Sequence, residues 1–216
     1  DKQYKGRDVF LGDNVKDQEF NWAEFSNLGS HTPSMEASRS VDALGCVKGY
    51  KTKVGDAIGA YTQSYLSGPN MSAKRTYVHL PPDRWPKEWR GKYQNPVVIL
   101  VLALYGHPDA GTCWEVDSFN RIQKLGWVMV SEYWNALFWH PKFRALLLVY
   151  VDDFKLSALD RDQNKLWAEL RKVIDMDPET KDGRFLGCTQ EPFECRAKEV
   201  QFILENSPVY HVRPQL

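Results

Sequence analysis

The stretch Ala145-Leu146-Leu147-Leu148-Val149-Tyr150-Val151-Asp152-Asp153-Phe154-Lys155-Leu156-Ser157-Ala158 decides how the chain is read. Its first half, through Val149, is apolar enough for a fully buried strand. Its second half, from Phe154, alternates apolar and polar residues with the period of a half-buried strand. Two strands with adjacent carboxylates at their junction read as a hairpin that lifts Asp152 and Asp153 out at its tip. Paired carboxylates repel unless something positive neutralises them, and their hard oxygens suit Mg²⁺. The plainer alternative is a solvated surface turn, but a pair that ends a buried strand is placed by the core.

Outward from this hairpin, composition sets the bounds. With 216 residues, 43% hydrophobic and 26% charged, the chain has material for one large domain or two subdomains. Its 28 basic and 28 acidic residues cancel. That argues against non-specific nucleic-acid binding by the whole surface, while leaving room for a basic groove balanced by acids elsewhere. Cys46, Cys113, Cys188 and Cys195 form no C-x-x-C pair, so neither a zinc site nor a disulfide framework is expected. No apolar run approaches a membrane span and no cleavable leader is visible, so an intracellular protein without membrane contact is expected.

Along the chain, Asp8 to Asp13 reads as a short strand entering a turn, with Arg7 either a solvated cap or a phosphate contact. Thr32-Pro33 is expected to open a helix with Ala37, Val41, Leu44 and Val47 on one side, ended by Gly49. Tyr50 to Val54 reads as a strand leading to Asp56 and the small-residue stretch Ala57-Ile58-Gly59-Ala60-Tyr61. There Asp56 is either a metal ligand or a helix N-cap. Thr76 to Leu80 reads as a strand and Val97 to Leu104 as a buried one. Between them Arg84 to Tyr93, including Arg90, interleaves basic and aromatic side chains that suit either phosphates with bases or a packed loop. Thr112-x-x-Glu115 forms a capping box for a helix that Gly126 closes. Strands are expected at Trp127–Val130, Ala136–Trp139 and Arg144–Val151, then an amphipathic helix from Leu159 to Ile174. Arg184–Cys188 and Val200–Leu204 read as two arms of a last hairpin.

Together these pieces resemble the reverse transcriptase of copia-type LTR retrotransposons over nearly the whole chain. Tyr150-Val151-Asp152-Asp153 matches the family's YVDD hairpin, and Asp56 to Tyr61 matches its D-x-x-x-A-[FY] motif. Leu104-Tyr105-Gly106 with Ala110 and Trp114 looks like the L-Y-G-L-K-Q-A-P-R-x-W block. Phe185-Leu186-Gly187 resembles the F-L-G element, and Ser38-Arg39 with Ala43-Leu44 a helix motif.

The resemblance implies an α+β right-hand polymerase. Its fingers would take about 1–33 and 67–104, its palm about 34–66 and 105–190, and its thumb would be largely absent. The palm would be an antiparallel sheet with the carboxylates on one face and helices on the other. The implied reaction is RNA- and DNA-directed DNA synthesis from deoxynucleotides on a primed RNA or DNA template. Asp56, Asp152 and Asp153 would hold two Mg²⁺ ions about 4 Å apart, with Mn²⁺ as a substitute. Asp56 and Asp152 would bridge both ions, with Asp153 a third, weaker ligand.

Tyr61 would sit under the incoming sugar and exclude a 2′-hydroxyl, or else simply pack beneath the sheet. Arg7, Ala57, Gly106 and Asp109 would lie at the nucleotide. Tyr150, Phe185, Leu186, Gly187, Arg84 and Arg90 would lie along the nucleic acid. The chain departs from the family where His107-Pro108-Asp109-Ala110-Gly111-Thr112 stands for L-K-Q-A-P-R. The basic residues are lost, and the acid at 109 is expected to weaken phosphate binding unless it meets a base or sugar. Residues 191–216 would be a hairpin arm and the start of a following segment of a Pol polyprotein carrying RNase H and integrase. The compartment would be a cytoplasmic particle or the nucleus. The rival expectations are a decayed or domesticated copy that only binds nucleic acid, and an interaction module whose carboxylates cap turns. The latter predicts Asp56 far from the hairpin tip.

Overall fold

The apolar run at 145–150 is the middle strand of a five-stranded antiparallel sheet. The computed structural model describes residues 8–25, 31–66, 75–181 and 184–189, without the side chains of Arg184 and Thr189. In chain order these form α1 (Met35–Gly45), β1 (Tyr50–Asp56), β2 (Tyr77–His79), β3 (Val97–Ile99) and α2 (Ala110–Lys124). Then follow β4 (Val128–Met129), β5 (Leu137–His140), β6 (Ala145–Tyr150), β7 (Asp153–Leu159), α3 (Asp160–Leu170), β8 (Arg184–Phe185) and β9 (Cys188–Thr189). The large sheet runs β1-β7-β6-β5-β4, while β2–β3 and β8–β9 are separate two-stranded pairs. The fold is therefore mixed α+β with an antiparallel sheet, and no helix among the described residues is long and apolar enough to cross a membrane.

Side-chain alternation divides the core in two. Leu147, Val149, Phe154 and Leu156 pack with Trp114 and Ile122 of α2 and with Leu166, Trp167 and Leu170 of α3. The opposite face brings Leu137 and Leu148 against Ala37 and Val41 of α1 and against Phe185. Helices thus cover both faces, where the sequence predicted one. The reason lies in β6: it is apolar at every position before Tyr150, so neither of its faces is fit to meet water. Burying one such leucine contributes about 1.5–3 kcal/mol.

Several local expectations shift. Helix α1 is capped by Ser34, whose hydroxyl accepts from the Ala37 N–H at 3.1 Å, not by Thr32. It ends at Gly45, leaving Val47 outside it and half exposed. Helix α2 begins at Ala110, two residues before Thr112, so no capping box forms there. Glu115 instead accepts from the His31 backbone N–H at 2.6 Å. The stretch Val97–Leu104 is not one buried strand: Val97–Ile99 pairs with β2, Leu102 makes only an isolated bridge to Tyr65, and Val101 and Leu102 stay exposed. A two-stranded sheet has too few neighbours to cover both its faces. Helix α3 stops at Leu170, four residues before Ile174.

Asp8 to Leu11 is not a strand and runs into a 3-10 turn at Gly12–Asn14. The last hairpin is also tighter than expected. Phe185 pairs with Cys188 around Leu186-Gly187, both with positive φ (48° and 78°). Arg7, residues 191–216 and the expected arm Val200–Leu204 lie outside the described residues.

Candidate carboxylate site

Strand β1 pairs with β7 along its full length, and the register sets Asp56 directly opposite Asp153. The Ala57 N–H donates to the Asp152 carbonyl at 2.7 Å, which makes 56/153 a non-hydrogen-bonded pair of the ladder. Such pairs hold their Cα atoms about 4.5 Å apart, the closest approach an antiparallel ladder offers. The two carboxyl groups stand within hydrogen-bond reach of each other, with Asp153 the donor when it is protonated. The pKa of Asp153 is pushed from 3.8 to about 6, first by burial, then by the charges of Asp152 and Asp56 and by the hydrogen bond that its protonated form donates to Asp56. The Leu186 backbone N–H donates to the Asp153 carboxyl and opposes these effects.

The hairpin tip is a two-residue connection, Val151-Asp152, closed by the pair Tyr150–Asp153. Val151 has φ 53°, a left-handed conformation that a β-branched residue rarely adopts and that costs about 1–3 kcal/mol. The surroundings hold it there. Trp114 of α2, almost wholly buried, donates its indole N–H to the Val151 carbonyl at 2.6 Å. From the opposite face Phe185 packs with Tyr150 and Leu148, bringing the Leu186 N–H to Asp153.

After β1 the chain passes buried Ala57, turns left-handed at Gly59 (φ 58°) and enters a 3-10 turn that carries Tyr61. The Tyr61 ring packs on Tyr105, centroids 4.6 Å apart. Its phenol pKa is pushed up by burial first, then by Tyr105, Asp152 and Tyr150, which face it. Gly106, next along, has φ 90°, and a Cβ on it would stand 2.0 Å from the Phe10 carbonyl oxygen. Only glycine allows the N-terminal segment to lie this close, where the Phe10 N–H reaches the Tyr105 carbonyl at 2.7 Å.

The structure therefore gathers Asp56, Ala57, Tyr61, Tyr150, Asp152, Asp153, Phe185 and Leu186, with Gly187 completing the turn beside them. Other expected residues stand apart. Asp109 is the residue before α2, and its backbone N–H donates to His107 Nδ1 at 3.1 Å. Arg84 pairs with Asp8 at 3.3 Å and Asp83 at 3.7 Å, and shares with Asp109 a groove between the N-terminal segment and β2. Arg90 is exposed at the end of a 3-10 turn. Neither arginine joins the carboxylates.

Three residues that matter here escaped the sequence reading in this role. Trp114 read as one apolar face of a helix, Lys155 as the solvent side of an alternating strand, and Leu186 acts through its backbone. No side-chain pattern signals a main-chain donor.

The donor set fits a hard divalent cation: clustered carboxylates, of which Asp153 has its pKa raised to about 6 by burial first and then by its neighbours' charges. Among the described residues no three carboxylate, His or Cys side chains converge as a finished cage. Asp56 and Asp153 meet, and Asp152 acts on Asp153 through its charge. Compared with protein-family models and with curated proteins, the chain gives no match.

Proposed function

We propose that this chain is an RNA- and DNA-directed DNA polymerase of the copia-type reverse transcriptase kind, the five-stranded sheet with its helices serving as palm. The observation that carries the reading is the register of β1 against β7. It sets Asp56 opposite Asp153 and beside Asp152, although the two segments lie far apart in sequence. An interaction module with turn-capping carboxylates gives no reason for that meeting and predicts the opposite.

Asp56, Asp152 and Asp153 would be the ligands, holding two Mg²⁺ or Mn²⁺ ions. Such ions lower the pKa of a primer 3′-hydroxyl and neutralise charge on the leaving pyrophosphate. The chain's own residues would do the positioning. Bound cations would offset the burial and like charge that raise the Asp153 pKa, and so would favour its carboxylate. Tyr61, wedged on Tyr105 beside Asp152, would bar a 2′-hydroxyl by bulk and so favour deoxynucleotides. The Leu186-Gly187 turn would lie along the primer strand. Residues 8–25 and 75–104 would belong to the fingers, with Arg7 at the triphosphate. Primed RNA or DNA and deoxynucleotides would be the partners, within a Pol polyprotein carrying RNase H and integrase, in a cytoplasmic particle or the nucleus.

Primer extension on an RNA template with Mg²⁺ tests this, comparing the chain with Asp152→Asn and Asp56→Asn. Extension that falls to background in both variants is the expected result. Absence of extension by the native chain, and again when it is lengthened past Leu216, overturns the reading in favour of a non-catalytic copy.

A further inference from the structure

Lys155 is fully buried, two residues along β7 from Asp153 and on the same face of the sheet. A buried ammonium is tolerated only when paired. Here it pairs with Asp42 of α1, lies 3.5 Å from the Ser38 hydroxyl, and stands over the Phe185 ring at 5.2 Å from its centroid. Phe185 is 3% exposed and immediately precedes Leu186, whose N–H meets the Asp153 carboxyl.

An apolar residue would fill this position between Val54 and Leu148, its neighbours across the sheet, without burying a charge. The lysine's particular contribution is therefore directional. It ties α1 at one end to the β8–β9 turn at the other, through an ion pair and a cation–π contact.

We propose that Lys155 is a positioning residue for Asp153: anchored by Asp42, it holds Phe185 so that the Leu186 N–H stays on the carboxyl. The Lys155 charge is matched by Asp42, and the groups acting on Asp153 are Asp152, Asp56 and the Leu186 amide. Lys155 thus works through Phe185 and not by its own field. The consequence for ion binding rests on the polymerase reading; the consequence for the Leu186 amide does not.

The test uses the full chain with Lys155→Met/Asp42→Leu, a double change that replaces the ion pair with apolar contacts and so guards the fold. Phe185→Leu serves as a second, independent variant. Two quantities are read: hydrogen exchange at the Leu186 amide without metal, and binding of Mn²⁺ alone by electron paramagnetic resonance. Both variants are expected to speed Leu186 exchange while the β6 and β7 amides keep their protection. Mn²⁺ binding is expected to weaken about 10–100-fold, the usual effect of losing a group that orients a ligand. Combining all three substitutions should add little, because they break one chain of contacts.

Unchanged Leu186 exchange, or faster exchange with unchanged Mn²⁺ affinity, overturns the proposal. Faster exchange in a protein whose native form binds no Mn²⁺ supports the positioning role and sinks the polymerase reading instead.

Discussion

Asp153 carries a testable charge problem. Its pKa rises on folding from 3.8 to about 6, so the folded state binds the proton more tightly than the unfolded chain does. The stabilisation this gives is fully present below about pH 4 and is lost as pH rises through about 6. At neutral pH the metal-free protein therefore holds a carboxylate disfavoured by burial first and then by its neighbours' charges. Asp153→Asn removes both the buried charge and the repulsion. Thermal melting without metal should show the variant more stable than the native chain at about pH 8, the gap closing at about pH 4. Mg²⁺ should raise the native melting temperature at pH 8 and leave the variant's nearly unchanged. Parallel melting curves across this range would show that neither burial nor neighbouring charge holds the Asp153 proton.

The β6–β7 hairpin shows what an element needs beyond its own sequence. Its strands were legible because an unbroken apolar run and a period-two alternation each have one structural meaning at this length. The conformation of its tip was not legible, because Val151 is held left-handed by a tryptophan 37 residues earlier. Trp114→Phe keeps an aromatic in place and deletes the donor. Leaving the Val151 carbonyl unpaired costs about 1–3 kcal/mol, to be read from urea denaturation. Any polymerase activity should fall further than stability does, since a relaxed turn carries Asp152 with it. A variant that loses activity only in proportion to folded protein would show that Trp114 merely packs.

The start of α2 was misread for a related reason. Thr112-x-x-Glu115 has the spacing of a capping box, yet the turn at His107–Asp109 begins the helix earlier, and Glu115 turns to His31. In Val97–Leu104 the composition is that of a core strand while the surroundings are not. Apolar content tells which residues seek cover; whether enough neighbouring strands exist is decided elsewhere in the chain.

At the scale of the whole molecule, His107 acts as a clasp. Its ring packs against Phe10 and Phe25 of the N-terminal segment, centroids 4.9 and 5.7 Å away. Nδ1 accepts from the Asp109 N–H that precedes α2, which leaves Nε2 to donate to the Thr76 hydroxyl beside β2 at 3.1 Å. The Nδ1 bond is made only by the neutral ring, since a protonated Nδ1 cannot accept, whereas Nε2–H donates in either state. Burial lowers the His107 pKa below 6.5, with the Asp109 charge pulling weakly the other way. The sign follows: a histidine kept neutral by folding contributes stability that is present above pH 6.5 and is lost as pH falls through its lowered folded value. Acid should therefore free residues 8–25 from α2 and β2 before the five-stranded sheet opens. Hydrogen exchange at the Phe10 amide, bonded to the Tyr105 carbonyl, should accelerate on acidification ahead of the β6 and β7 amides. His107→Phe keeps the ring contacts and has no proton to gain. It should loosen the clasp at neutral pH through its two lost hydrogen bonds and make Phe10 exchange insensitive to acid once intrinsic rates are corrected. Equal acid sensitivity in native and variant chains would assign the opening to other groups and leave His107 a packing residue.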